Sequence, residues 1–193
     1  MRSWFAVSGR MRVAAVAALV FILAAGVSAY AQSVGQFYRH EDPRYWWYES
    51  YDRSFEIALP ANPIYTVHRD LFGETTVEIP MREGGPYLWI KIFPGGQAAL
   101  NRAVSAVQQQ WQHVLTGTRL TENRTILTRV GLNAQFIVLQ GRTATGANGM
   151  VRAVFFNNGD RNVALIWAGD ASDYTGDIQA AWIEAVNSFS WLR

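Results

Sequence analysis

The 193-residue chain contains no cysteine, three histidines and one lysine, and each scarcity removes a class of chemistry. Without cysteine there is no disulfide, no thiol nucleophile and no lipid attachment of the bacterial lipoprotein kind, so stability must come from burial. Only His40, His68 and His113 could act as a histidine base, and no Gly-x-Ser-x-Gly elbow accompanies them. Ser105 and Ser188 fall inside helical patterns, where a nucleophile is poorly presented. A non-enzymatic protein is therefore expected, with no cofactor. Lys91 stands against sixteen arginines, which are scattered between acids and form no basic run, so nucleic acid is not an expected partner.

An apolar run, residues 13–27, follows Arg2, Arg10 and Arg12 and precedes Ala29, Tyr30 and Ala31. This is the pattern of an export signal with cleavage after Ala31, and it predicts a periplasmic protein. An uncleaved leader would instead leave residues 13–31 as an inner-membrane anchor. The arginines are not paired, so the twin-arginine route has no support. Cleavage removes three arginines and leaves 14 basic against 15 acidic residues, a net charge of −1. The basic pI of about 9.1 belongs to the leader. The remaining length suits one domain with a sizeable core.

The strongest pattern is at the C-terminal end. Residues 150–156 and 163–168 are largely apolar on both alternating sets, and Asn157 to Asn162 between them are turn-forming or charged, which predicts a hairpin covered on both faces. Ile178, Trp182, Ala185, Val186 and Phe189 then recur at helical spacing. Upstream, residues 32–53 form an aromatic arm with no clean period. Phe55, Ile57 and Leu59 alternate up to Pro60. Strands are expected at 64–69, 75–81 and 87–93, and a helix from Gln97 with Leu100, Val104, Val107, Trp111 and Val114 on one face and Gly117 as its stop. Residues 118–129 are polar with little period, and 134–139 form a strand. The order β-β-β-β-α-β-β-β-α predicts an α+β domain over residues 54–193, built on a single mostly antiparallel sheet covered by helices.

The Phe-x-Ile-x-Leu-Pro opening at residues 55–60, the central helix, the three-strand meander after it and the closing helix ending Asn187-Ser188-Phe189 resemble the PsbP-like fold. That family includes small exported bacterial proteins. The resemblance implies an α/β/α sandwich and a role in supporting or assembling a larger complex, and it supplies no catalytic motif.

The aromatic arm offers the candidate binding residues. Tyr45, Trp46, Trp47, Tyr48 and Tyr51 are expected as anchors for an unidentified envelope or membrane protein complex. The same rings, with Glu49, Asp52 and Arg53 as polar contacts, would alternatively bind a small molecule or glycan. An arm that wraps the sheet would bury those rings instead. A membrane contact is expected only if the leader is retained. No metal is expected: His40, Glu41 and Asp42 are adjacent rather than convergent, and Asp170, Asp173 and Asp177 sit where acids oppose a helix dipole. The turn Pro94-Gly95-Gly96 precedes a helix but lacks the lysine and spacing of a phosphate loop. Trp89, Trp111, Trp167, Trp182 and Trp191 are expected in the core.

Overall fold

A computed structural model describes residues 35–60, 65–69, 75–82 and 85–192. The leader lies outside the described residues, as do the start of the strand expected at residue 64 and the turn after residue 69. The elements run β1 (Gln36–Arg39), β2 (Tyr45–Glu49), β3 (Phe55–Pro60), β4 (Thr66–Arg69), β5 (Thr75–Pro80), β6 (Tyr87–Pro94), α1 (Gln97–Val114), β7 (Thr116–Leu127), β8 (Asn133–Arg142), β9 (Asn148–Asn157) and β10 (Arg161–Asp170). A 3-10 turn (Ala171–Asp173), α2 (Gly176–Ser188) and the short β11 (Ser190–Trp191) close the chain. No described helix is long and apolar enough to cross a membrane.

The strands form two antiparallel sheets rather than the single one expected. The larger has the order β4-β5-β6-β10-β9-β8-β7, and the smaller β1-β2-β3-β11. The correction comes from the arm. Its rings serve both faces of β2: Tyr48 joins the main core with Phe55, Ile57 and Leu59, while Tyr45 packs with Ala58 and Ala181. A strand buried on two sides shows no polar alternation, which is why the arm has no readable period. Its partner β3 does alternate as expected, with Phe55, Ile57 and Leu59 all fully buried. The arm boundary at Arg53 falls in the turn between these two paired strands.

The β9 to β10 hairpin sits in the middle of the large sheet, with β6 on one side and β8 on the other. Its turn is built by asparagines: Asn157 Oδ1 accepts from Gly159 N at 2.9 Å, and Asn158 Oδ1 accepts from Asp160 N at 3.0 Å and Arg161 N at 2.8 Å. Alternate side chains of the hairpin enter two separate clusters. Val154, Phe156, Val163, Leu165 and Trp167 meet Trp182 and Ala185 of α2, Phe189 just after it, and the inner face of the small sheet. Ala153, Phe155, Ala164 and Ile166 meet Leu100, Ala103 and Val107 of α1. Each large side chain buried this way stabilises the fold by roughly 1.5–3 kcal/mol.

The second correction is β7. It spans twelve residues, ten of them within the stretch 118–129, which is polar with little period and is not counted among the expected strands. It is an edge strand whose pairing with β8 shifts register twice, between Thr116 and Arg119 and between Leu120 and Glu122. Each shift reverses which side chains face the core, so no period survives in the sequence.

Candidate functional site

The arm does not present the surface expected of it. Tyr48 is fully buried and Tyr45 nearly so; both are core residues and are withdrawn as surface anchors. Trp46 and Trp47 are half-buried, and Tyr51 alone of the five is exposed. His40 lies against Trp47, ring centroids 4.7 Å apart, and its Nδ1 accepts from Asp42 N at 2.9 Å.

The polar groups of the arm are already engaged. Arg53 Nε donates to Glu49 Oε1 at 2.7 Å, and Arg44 holds Asp42 through both carboxylate oxygens and pulls that carboxyl down to about 2. Asp52 Oδ1 accepts from Ser50 Oγ and Ser54 Oγ at 2.8 and 2.7 Å. Its Oδ2 lies 2.7 Å from Arg161 Nη2, off the line of a good hydrogen bond, so this contact is ionic. Burial pushes the Asp52 carboxyl up, but the serine hydrogen bonds and Arg161 outweigh it and hold it below its ordinary value. This pair ties the turn after β2 to the central hairpin. Glu49, Asp52 and Arg53 thus serve the arm's own structure.

The other candidates are dispersed. His113 is exposed near the end of α1, and His68 lies on β4 opposite Thr76. Asp173 pairs with Arg82, while Asp177 occupies the first turn of α2. Among the described residues no three of His, Asp and Glu are grouped as metal ligands. The Pro94 to Gly96 turn is packed against the hairpin: a Cβ on Gly95 would meet the Asp160 carbonyl carbon at 2.1 Å.

A cleft absent from the sequence-based expectations opens between the start of β6, the end of α1 and the end of β10. Its volume is about 380 Å³, and its walls include Tyr87, Trp89, Trp111, Leu115, Met150 and Asp170. Alternation on β6 places Tyr87 and Trp89 on one face of the sheet, and α1 crosses that face so that Trp111 comes beside them. The Tyr87 and Trp89 centroids are 5.4 Å apart, and Trp89 and Trp111 are 5.5 Å apart at 59°. Glu78, directly opposite Trp89 on β5, accepts from its Nε1 at 2.7 Å and fixes the ring. Trp111 Nε1 is buried and has no acceptor among the described residues. Among the described residues nothing pairs with the Asp170 carboxylate, whereas Asp173, the other carboxylate of the lining, is held by Arg82. Trp89 and Trp111 are therefore not sealed core, as their apolar spacing suggested. They border the core under α1 and also line open space. The signal available in the sequence was the terminal position of Trp111 on its helix, four residues before the chain leaves it.

No protein-family model matches the chain, and no curated protein matches it. Among solved structures, a protein of unknown function from Pseudomonas aeruginosa is similar at 15% identity and a TM-score of 0.41, covering 80% of this chain and 95% of that one. A Bacteroides thetaiotaomicron protein is similar at 10% identity and 0.44, covering 73% of this chain and 46% of the other. Superpositions this loose identify neither a family nor an activity.

Proposed function

We propose that this is an exported, non-enzymatic binding protein whose ligand is a small hydroxyl-bearing ring, such as one or two units of a cell-wall glycan, held in the Trp89 and Trp111 cleft. The observation that carries the reading is the three-ring wall beside an unpaired carboxylate and an unpaired indole N–H. Indole and phenol faces take the C–H face of a sugar, while Asp170 accepts from hydroxyls and Trp111 Nε1 donates to one. The cleft volume lies at the small end of the ~300–1,000 Å³ range of ligand pockets. The export leader, the periplasmic location and the PsbP-like kinship with its α/β/α sandwich belong to the same proposal.

The test is a titration of intrinsic tryptophan emission with soluble cell-wall oligosaccharides. A saturating change is expected, and Trp111→Phe, which keeps an aromatic face but removes the pyrrole ring with its N–H, weakens binding about tenfold. No change up to about 10 mM, a limit near −3 kcal/mol, would overturn the reading.

A second reading, an accessory or assembly factor for an envelope complex, is favoured by one feature. The strand β1 forms the outer edge of the small sheet, and three of its four side chains are exposed, so a partner strand could add there. Trp46, Trp47 and Tyr51 would flank that contact. Purification from envelope extracts with a stoichiometric membrane complex would support it, and recovery of the chain alone would remove it.

A further inference from the structure

A second, smaller cleft lies at the other side of the large sheet, under α2. It has a volume of about 240 Å³ and is lined by Arg124 and Arg152 together with Ile126, Phe136, Val154, Tyr174 and one side of α2. Register explains its composition. Arg124 on β7 lies opposite Phe136 on β8, which lies opposite Val154 on β9; Arg152 is two residues before Val154 and so shares its face. The four-stranded sheet contributes nothing to this lining, and α2 supplies the far wall through Trp182, Ile183 and Val186.

The guanidinium of Arg152 is unusual for its surroundings. It stacks over Tyr174 at 4.4 Å and over Phe136 at 5.0 Å, and its Nε is buried with no hydrogen-bond partner among the described residues. Among the described residues no carboxylate pairs with it. Arg124 stacks on the same Phe136 ring at 5.2 Å and is the more exposed partner in its ion pair with Glu122 at 3.1 Å. Among the described residues the lining of this cleft contains two cations, no acid, the amides of Gln179 and Asn187, and otherwise apolar or aromatic walls. A half-buried guanidinium whose N–H fork no described residue occupies, beside the more exposed Arg124, is complementary to an anion, and the planar fork matches a carboxylate. A bare inorganic anion would leave Ile126, Val154 and Trp182 wet. We propose that this cleft binds a small organic carboxylate with a short apolar or aromatic body, its carboxylate held by Arg152 and Arg124 and its body between the sheet and α2.

The experiment uses benzoate and hexanoate as probes, with inorganic phosphate as the comparison, on 15N-labelled protein. Benzoate or hexanoate is expected to shift the Arg152 Nε–Hε resonance saturably, because that nitrogen gains its first acceptor. Phosphate at the same concentration is expected to have a several-fold weaker effect. Arg152→Met, which keeps the stacked stem, should weaken benzoate binding at least about tenfold while circular dichroism stays native, and Arg152→Lys should recover only part of it. An unmoved Arg152 resonance in the wild type up to about 20 mM probe, a limit near −2 kcal/mol, overturns the proposal whether or not the variants fold. So does equal binding of phosphate, or unchanged benzoate affinity in a folded Arg152→Met.

Discussion

Asn162 offers the sharpest test of how the two ends of the core are joined. It is fully buried, at the start of β10, in a segment otherwise apolar. Its Nδ2 donates to Pro94 O at 2.5 Å and to Gly96 O at 3.3 Å, and its Oδ1 accepts from Asn157 Nδ2 at 2.5 Å. One amide thus links the hairpin turn to the turn that starts α1, the helix that carries Trp111. Gly96 O also accepts from Leu100 N at 3.0 Å and keeps a partner when the long bond is lost. The cost of Asn162→Ala therefore falls on the two short bonds, about 1 kcal/mol each, plus about 1 kcal/mol for leaving a buried partner unsatisfied. A loss of about 3 kcal/mol is expected, or a fall in Tm of roughly 6–12 °C for a domain of this size. Urea unfolding at constant m value measures it. The companion Asn162→Asp keeps the acceptor for Asn157 but turns a carboxylate toward Pro94 O; it should cost at least as much at neutral pH and recover in part once the carboxyl is protonated and can donate. A loss under about 1 kcal/mol in Asn162→Ala would refute the assignment of this amide as the link.

The remaining expectations are simpler. The folded-state value of Asp52 is depressed, so its contribution is complete above the unfolded value of about 3.9 and is lost as pH falls through the folded one. The stability gap between wild type and Asp52→Asn should therefore be constant near neutrality and close below about pH 4, as followed by urea melts; a gap that widened on acidification would contradict the sign. Phe189 is fully buried, stacked on Phe156 at 3.8 Å and on Phe55 at 5.3 Å, and Phe189→Ala should cost about 3–5 kcal/mol. A cost below about 2 kcal/mol would mean that the three-ring stack repacks around the loss.

Much of the fold was legible along the chain because its cause is local. The β9 to β10 hairpin, α1, α2 and β3 follow from apolar periodicity and from asparagine and glycine turns, which neighbouring residues alone specify. The strand β7 was hidden because its two register shifts reverse side-chain parity, a property of its pairing with β8. The same limit applied to the arm: Tyr45, Trp46, Trp47 and Tyr48 read as an undifferentiated aromatic cluster, and only the meeting of β2 with β3 sends Tyr48 to the main core and Tyr45 with Trp47 to a separate one.

The sites divide in the same way. Composition and residue order alone determined the absence of thiol chemistry, the leader pattern and the near-neutral charge of residues 32–193. Arg152 is a charge inside an apolar strand, yet nothing near it in the chain names its companions. Tertiary structure decided that Arg124 and Tyr174 come to it from an edge strand and a helix-leading turn, and that Trp111 comes to Trp89 from a helix crossing the sheet. Periodicity reports which face of an element is apolar. It does not report where that face runs past the edge of the element packed on it, and both clefts lie at such edges.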